Sequence, residues 1–470
     1  MRIHLLLVRS SWIFLALLVF SPYLWAQKGS VKDELEQLRA LVKKQAEQLQ
    51  ELEDRISKTI ADVGQSSEEI STQKDDLEKL TAVVNKQEKK KIGGWSTRPF
   101  LQSADGKHRA EFRAYTQFDY RHYQKGANAS ASSFLMRRVR PSISGHITKY
   151  FQYKIQADLA RTEGGLLEDM YMRVRHPSKK INVMFGQFKE PFSQEELRSD
   201  SIIDFIDRPM SVSHLTSGRT PGVMAHGSLV NGIVGYQIGV FNGKGRHQNN
   251  NNSTPDIAGR LRFSPFKESD NFWLKGFKFG TAYAQGRTIG GKSVKGQTVS
   301  RSYNFYDKIS INGKTHRANG EFIWLLGPAA IRAEYNQSMQ SRDGLGTGGV
   351  NLPGVIAKGY TAQATYLLTG ETKPEAAMVV PRSDLFANGS GTNGWGAWEI
   401  KLRYDNLQIQ DSAATSNRAD TFNFGINWYF NRYMKYMVDI GVEGFKDPLR
   451  SPKPGNSKFF VWMNRIVVVF

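Results

Sequence analysis

From Arg109 onward, apolar and polar residues alternate along the chain with a period of two. Residues 395–407 are a clear example, in which Trp398, Ile400, Leu402 and Tyr404 are separated by charged residues. Successive side chains of a β-strand point to opposite faces of the sheet. The pattern therefore predicts strands that have one apolar face and one polar face.

Sixteen segments have this alternation, and tight turns alternate with long connections rich in Gly, Ser and Asn between them. The segments are 109–123, 136–148, 150–161, 167–175, 181–188, 222–229, 233–241, 256–264, 274–284, 316–326, 329–339, 358–369, 395–407, 420–430, 434–445 and 457–470. The long connections are 189–221, 285–315 and 340–357. An even number of amphipathic strands with alternating short and long connections is typical of a transmembrane β-barrel. Closure of the barrel gives every backbone polar group a partner inside the bilayer.

The sequence thus predicts an all-β fold, a 16-stranded antiparallel transmembrane β-barrel. A soluble β-sandwich or propeller is the alternative. It is disfavoured because its apolar faces would not be so uniformly bordered by Trp and Tyr. The lipid bilayer is therefore an expected partner.

A period of seven precedes the barrel. Every a position of this heptad array is apolar: Leu35, Val42, Leu49, Ile56, Val63, Ile70, Leu77 and Val84. At least half of the d positions are polar, as at Gln45, Thr59 and Ser66. The register predicts an α-helical coiled coil with a weak seam, against the alternative of a single solvated helix. β-branched residues at a are compatible with two or three helices.

The first residues have the layout of a secretory signal. Arg2 and Arg9 precede the apolar stretch 12–20, which is followed by Ser21-Pro22 and then by Leu24-Trp25-Ala26 with a small residue at the expected cleavage site. The stretch is too short for a membrane anchor, so cleavage after Ala26 is expected. The predicted organisation is a signal peptide at 1–26, a coiled-coil segment at 27–91 and a transmembrane β-barrel domain at 92–470.

Charge and composition narrow the function. The net charge is +20, and residues 27–91 carry 13 basic and 14 acidic side chains, which leaves about +19 in residues 92–470. A domain this basic favours an anionic solute or partner. Nucleic acid is not expected, because the basic residues lie on barrel strands of a secreted protein. The chain has no cysteine, so it cannot form a disulfide or a thiolate metal site.

Motifs of catalysis are lacking in the sequence. The nine histidines form no HExxH pair, and there is no G-x-S-x-G sequence. We therefore expect no enzyme activity, no catalytic residue, no metal and no cofactor.

Four motifs and the final phenylalanine carry a resemblance to a known family. The motifs are FGQFKEPFSQEEL (185–197), YLLTGETKPE (366–375), GAWEIKLRYDNLQIQD (396–411) and FGINWYFN (424–431). Over about residues 100–470 the chain resembles the phosphate-selective porins O and P. The resemblance implies a homotrimeric, sixteen-stranded outer-membrane channel that passes anions, among them phosphate or polyphosphate, down their gradient. It also implies that a long inward loop at 189–221 and a long periplasmic turn at 370–394 narrow the pore.

The last strand carries a further resemblance. Phe470 ends an amphipathic segment, as in outer-membrane proteins that the barrel assembly machinery recognises. The expected location is the outer membrane of a Gram-negative-type bacterium. The coiled coil would lie on the periplasmic side, as a parallel three-stranded coil beneath the barrels of a trimer.

The polar faces of the strands and the connection 285–315 provide the candidate anion-binding residues. They are Arg113, Arg137, Arg138, Arg140, Arg260, Arg262, Arg317, Lys292, Lys295 and Arg301. Rings of Arg and Lys select anions by offering several weak sites, and arginine can bond two phosphate oxygens at once. MRRVRP (136–141) matches a position where family members carry pore arginines. The alternative for each residue is an ion pair with a strand carboxylate that only braces the barrel. Arg465, near the end of the last strand, is expected to matter little for selectivity.

Two departures from the family pattern qualify the expected selectivity. The inward loop holds Glu195, Glu196 and Asp200, and residues 285–315 lack a dense arginine run. The leading hypothesis is a passive diffusion channel with a preference for anions but without tight phosphate specificity. The alternative is a structural outer-membrane protein that tethers the envelope through its coiled coil and has a general solute pore.

Overall fold

The computed structural model describes residues 30–88, 92–124, 131–162, 165–178, 180–386, 394–411 and 416–470. The chain divides into two compact units, Met1–Glu88 and Lys89–Phe470. The predicted signal peptide at 1–26 lies outside the described residues, as do 27–29 and 89–91 at the ends of the predicted coiled-coil segment.

The first unit is one long helix, α1 (Ser30–Glu88), of 59 residues. At 1.5 Å per residue it is about 90 Å long. All eight apolar a positions are 51–66% exposed, so the helix presents a continuous apolar stripe. The helix is confirmed, and its pairing into a coiled coil stays a prediction. None of the described helices combines the length and apolar character of a membrane-spanning helix.

The second unit is a β-barrel with short additional elements. Its strands in chain order are β1 (Gly93–Trp95), β2 (Pro99–Gln102), β3 (Arg109–Tyr123), β4 (Ser133–Thr148), β5 (Phe151–Ala157), β6 (Leu167–Arg175), β7 (Asn182–Lys189), β8 (Arg219–Leu229), β9 (Val234–Phe241), β10 (Asp256–Phe263), β11 (Phe277–Lys292), β12 (Gly296–Gln297), β13 (Asn304–Tyr306), β14 (Ser310–Leu326), β15 (Ala329–Arg342), β16 (Leu352–Leu367), β17 (Ala397–Gln410), β18 (Ser416–Tyr429), β19 (Met434–Phe445) and β20 (Lys458–Val469). The helices are α2 (Gln194–Leu197), α3 (Met210–Leu215) and α4 (Phe272–Lys275), and short 3₁₀ turns span Val230–Gly232, Thr347–Gly349 and Pro448–Arg450.

Sixteen of these strands, β3–β11 and β14–β20, form a closed antiparallel barrel. Each strand pairs with its neighbour along the chain, and β20 pairs with β3 to close the ring. Phe470 extends the closure, since its backbone exchanges hydrogen bonds of 2.7 and 2.9 Å with Ala114. The predicted sixteen-stranded barrel is therefore confirmed.

Alternation along the strands sets the two faces of the barrel wall. In β16, Tyr360 and Tyr366 are each 47% exposed on the outer wall, whereas the intervening Thr361 and Thr365 are at most 5% exposed. Apolar residues thus cover the outside, and polar residues face the lumen. A belt of indole rings lies where short turns join the strands, and Trp398 stacks on Trp428 there with ring centroids 4.7 Å apart.

The observed strands differ from the predicted segments mainly at one end. The predicted connection 285–315 is shorter in the structure, because β11 continues to Lys292 and β14 begins at Ser310. The additional residues of these two strands lie beyond the ends of the predicted segments and are rich in Gly, Thr and Ser. Strict alternation is lost there, because both faces can be polar away from lipid.

The barrel has a turn end, with short turns and Phe470, and a loop end, with long connections. Two connections from the loop end fold into the lumen. The inward loop, residues 190–218, carries α2 and α3, and the second inward segment, residues 293–309, carries the β12–β13 pair. The two pack together through Met210, Leu215, Val299 and Phe305 in one apolar cluster against β16–β20. From the turn end, residues 368–386 also pack inside, where Val379 meets Leu367 and Tyr429.

Candidate functional site

The inward loop is fixed to the lumen wall by buried cations that bind its backbone. Lys435 donates to the carbonyl of Ile203 over 2.8 Å, and Lys401 donates to that of Asp204 over 2.9 Å. The same arrangement recurs further along the loop, where Arg403 donates to the carbonyl of Asp207 and Arg465 to that of Ile206. These four cations are at most 1% exposed. They brace the loop and do not face solute.

Carboxylates of the wall complete this attachment. Asp439 accepts a hydrogen bond of 2.8 Å from the backbone of Ile206, and Asp405 accepts one of 2.8 Å from Met210. At the first turn of the loop, Glu334 accepts from Ser193 and from the backbone of Glu195, both over 2.6 Å. The loop therefore fills the β14–β20 side of the lumen as a fixed part of the barrel.

The acidic side chains of the inward loop are neutralised by lumen arginines. Asp200 contacts Arg138 at 3.2 Å and Arg140 at 2.5 Å, and it also contacts Arg208. Burial opposes ionisation of Asp200, but the surrounding guanidinium charges outweigh it and hold its pKa well below the ordinary value of 3.8. Glu195 pairs with Arg198 at 3.0 Å. The acidic loop residues therefore do not offer free negative charge to a solute.

Between the inward loop and β3–β9, the lumen remains open as two cavities. The first, here the arginine vestibule, lies at the loop end and has a volume of about 260 Å³. Eight arginines and three carboxylates line it: Arg137, Arg138, Arg140, Arg161, Arg208, Arg219, Arg246, Arg301, Glu196, Asp200 and Asp207. Cations thus outnumber carboxylates by five along this surface.

The second cavity, here the lower vestibule, lies toward the turn end and has a volume of about 400 Å³. Its charged lining is Arg98, Arg113, Lys154, Asp169, Lys189, Asp200 and Arg219. Arg113 donates to Ser201 over 3.0 Å, and Lys154 contacts Asp169 at 2.6 Å. Cations are again in excess.

Asp200 and Arg219 line both vestibules and so mark the neck between them. Arg219 contacts Asp169 at 2.5 Å and Glu168 at 2.7 Å. Asp200 is covered by Arg138 and Arg140. The carboxylates next to the neck, Asp200, Asp169 and Glu168, are therefore each bound by arginine.

One buried carboxylate holds several of the arginines in place. Glu168 is 0% exposed and lies within 3.4 Å of Arg140, Arg161, Arg219 and Arg246. Arg140 and Arg219 have further carboxylate partners, whereas Glu168 is the one carboxylate in ion-pair contact with Arg161 and Arg246 among the described residues. The side chains of Arg161 and Arg246 remain 27% and 24% exposed and present positive charge to the arginine vestibule.

A β-bulge places two consecutive arginines in the lumen. Gln117 of β3 pairs with Arg138, but the next residue, Phe118, pairs with Met136, so Arg137 is the extra residue. A bulge re-aims a side chain that would otherwise follow the alternation. Arg137 lies 3.7 Å from Asp207, and its side chain is 18% exposed. Regular alternation would have brought only one of Arg137 and Arg138 inside.

The predicted site residues fall into three groups. Arg137, Arg138, Arg140 and Arg301 line the arginine vestibule, and Arg113 lines the lower one. Arg260 faces the lumen but is bound to Glu321 at 3.1 Å and to Gln237. Arg262 contacts Glu375 of the turn-end segment at 2.8 Å. Neither of these two residues lines the arginine vestibule or the lower vestibule.

The remaining three predicted residues lie at the loop end, outside both vestibules. Arg317 and Lys292 line a different cavity between α3 and the opposite wall. Lys295 lies in the second inward segment and is half-buried. Arg465, which was expected to matter little, is bound to Asp119 at 2.6 Å and anchors the inward loop.

Sequence reasoning missed Arg161, Arg208, Arg219 and Arg246. Three of them lie in connections, and Arg219 is the first residue of β8, ahead of the predicted segment 222–229. Arg161 is the last residue of the predicted segment 150–161, but β5 ends at Ala157. Arg208 and Arg246 lie in loops, which alternation cannot place. Within the described part of the chain, no three His, Asp or Glu side chains are grouped to hold a metal ion.

A closed sixteen-stranded barrel with an apolar outer wall, a polar lumen and an inward loop that leaves a charged neck is the architecture of an outer-membrane porin. Comparison with known proteins agrees. The sequence model of the family "Phosphate-selective porin O and P" matches residues 110–443. Porin O of Pseudomonas aeruginosa is 23% identical over 356 residues, which cover 68% of this chain and 78% of that protein.

Solved structures share the fold. The trimer form of OmpT, an outer membrane protein of Vibrio cholerae, is 9% identical, covers 77% of this chain and 100% of its own, and has a TM-score of 0.52. The outer membrane channel DcaP of Acinetobacter baumannii is 10% identical, covers 79% of this chain and 99% of its own, and has a TM-score of 0.50.

The family match spans most of the chain, so the chain belongs to the phosphate-selective porin O and P family. The predicted outer-membrane location and porin class are confirmed. Membership and fold define an anion- and phosphate-selective type of pore rather than an enzyme, and they do not favour the tether alternative.

Proposed function

We propose that the chain forms a passive diffusion channel for anions. The anions pass from the arginine vestibule, through the neck at Asp200 and Arg219, into the lower vestibule. The observation that carries the proposal is the excess of eight arginines over three carboxylates around the arginine vestibule. A narrow lumen with low-dielectric walls focuses this field and enriches anions.

The arrangement suits passage as well as attraction. Several arginines share one carboxylate, as around Glu168 and Asp207. Each of these arginines is therefore partly neutralised and attracts a solute only weakly. Many weak sites in series let an anion enter and leave, whereas one strong site would trap it. Partial neutralisation is thus part of the selectivity.

Phosphate and polyphosphate are suitable solutes for this lining. The guanidinium group offers paired donors that match phosphate oxygens. Arg137 and Arg301 flank Asp207, and Arg161 and Arg246 flank Glu168, so exposed donors occur at two places in one vestibule. The acidic residues of the inward loop are buried and paired, so their negative charge does not strongly repel phosphate.

The proposal extends to orientation and assembly. The turn end faces the periplasm, together with the coiled coil of α1, and the loop end faces outward.

Three chains form a homotrimer in which the exposed a positions of α1 pack into a parallel three-stranded coil. The barrel assembly machinery inserts the chain through its last strand, which ends at Phe470. Sedimentation of the 27–91 peptide as a monomer or dimer would contradict the three-stranded coil.

Block of chloride current by phosphate tests the solute proposal. We expect millimolar phosphate to reduce the single-channel chloride conductance of the wild type, because phosphate occupies the same arginines for longer. The Arg137→Gln, Arg301→Gln double variant should lose most of this block. The matched control is Lys358→Gln, which removes a cation from the outer wall. Equal block in both variants would contradict the proposal.

A further inference from the structure

A third cavity lies at the loop end, on the other side of the inward loop from the arginine vestibule. This side cavity has a volume of about 320 Å³ and lies between α3 and strands β10, β11, β14 and β15. Thr216 and Ser217 line both the side cavity and the arginine vestibule, so the segment that follows α3 borders both cavities.

The floor of the side cavity is closed. Arg317 contacts Glu190 at 2.9 Å, and its guanidinium lies 5.4 Å from the ring centre of Phe192. Phe192 is 1% exposed, and the next inward residues toward the turn end, Asn319 and Asn336, are 4% and 0% exposed. The side cavity is therefore closed toward the turn end and is not a second conduction path.

The charged lining of the side cavity is mainly positive. Lys244, Lys292 and Arg317 line the cavity together with one carboxylate, Asp256, and Glu190 pairs with Arg317 at the floor, so three cations are opposed by two carboxylates. Burial lowers the pKa of His214 to about 4, so this residue is neutral at pH 7. An anion is the charge type that this cavity favours.

Polar groups on the wall of the side cavity lack partners. The hydroxyls of Thr315 and Ser338 and the Nη1 group of Arg317 form no hydrogen bond with any residue that the structure describes. Arg317 and Ser338 are 7% and 1% exposed. Buried groups of this kind are normally satisfied. Three such groups around one cavity are available to bond a polar ligand.

We propose that the side cavity is a second anion-binding site, outside the conduction pathway, for a small organic anion that carries hydroxyl groups, such as a sugar phosphate. The cations bind its charged group, and Thr315, Ser338 and Gln340 bind its hydroxyls. The volume lies in the range of roughly 300–1,000 Å³ of small-molecule sites. The proposal goes beyond the channel, because a ligand held here leaves the neck open.

Single cysteines test the site directly, since the natural chain has none. In the full-length Thr315→Cys variant, we expect an anionic methanethiosulfonate reagent to react about tenfold faster than a cationic one of the same size, as focusing of the field predicts. Glucose 6-phosphate should slow the reaction, and glucose should not. Thr288→Cys provides a second position in the same cavity. Equal rates, faster reaction of the cation, no reaction at either position or no protection would overturn the proposal.

Conductance separates this site from the channel. The anionic adduct at Thr315→Cys should leave the single-channel conductance unchanged, whereas the same adduct at Ser213→Cys, in the arginine vestibule, should reduce it. A reduction at Thr315→Cys would place the side cavity on the pathway and contradict the separate site. An unchanged conductance at Ser213→Cys would instead contradict the proposed pathway and leave the side-cavity proposal standing.

Discussion

Replacing Arg137 with glutamine should weaken anion selectivity without unfolding the channel. Arg137 is the bulged residue of β4, and its one ion-pair contact in the described structure is Asp207 at 3.7 Å. Asp207 keeps its closer partner, Arg121, at 2.6 Å. The variant therefore removes one positive charge from the arginine vestibule and leaves the inward loop attached.

The size of the effect follows from Coulomb's law. A unit charge about 5 Å from a monovalent ion in water changes its energy by about 0.8 kcal/mol. Loss of that energy lowers the local concentration of an anion about fourfold and raises that of a cation about fourfold. The anion-to-cation permeability ratio should therefore fall about fifteenfold. The effect should nearly vanish at 1 M salt, where the Debye length is about 3 Å.

The assay is the reversal potential of the reconstituted channel in a KCl gradient at low salt. The matched control is Arg418→Gln, which removes an arginine from the outer wall, where it pairs with Asp420 at 2.5 Å. Arg418→Gln should leave the ratio unchanged. An Arg137→Gln channel that keeps the wild-type ratio at low salt, or a control that changes it equally, would refute the reasoning.

Three further expectations concern the inward loop and the wall. Arg465→Met should cost about 3–5 kcal/mol, the range for a broken buried ion pair, and should raise conductance as the loop loosens; an unchanged melting temperature would contradict this. The pKa values of Asp200, Asp204 and Asp207 are held well below 3.8, so their stabilisation of the fold is complete above that pH and is lost only as pH falls below it. These three carboxylates should thus stay ionised at both pH 7 and pH 5, and protonation of any of them in that interval, seen as a carboxyl C=O band in difference infrared spectra, would argue against the ion pairs. Cysteine scanning along 420–430 with a water-soluble thiol reagent should show a period of two, and uniform labelling would contradict the wall's register.

The barrel could be predicted from sequence because its physical constraint is local. Lipid on one side and water on the other impose the period of two on every spanning strand, and β3, β6 and β19 begin and end as predicted. The prediction became inaccurate where that constraint ends, at the polar extensions of β11 and β14.

The site was less accessible to sequence reasoning, because it depends on contacts between distant parts of the chain. Arg137 enters the lumen through a bulge that alternation does not reveal. Arg161 and Arg246 are brought together only by Glu168. Arg260 and Arg465 have the expected facing, but their carboxylate partners Glu321 and Asp119 make them braces. Facing can be predicted from the pattern, whereas freedom to bind a solute depends on tertiary pairing.

The central claim is that the excess of cations around the neck makes this porin select anions. The most direct measurement is the reversal potential of the wild-type channel in a planar bilayer with a KCl gradient below 0.15 M, where the Debye length exceeds about 8 Å. The predicted result is a potential of the sign set by chloride, which declines toward zero as the salt concentration rises. A potential of the sign set by potassium at low salt would contradict the claim.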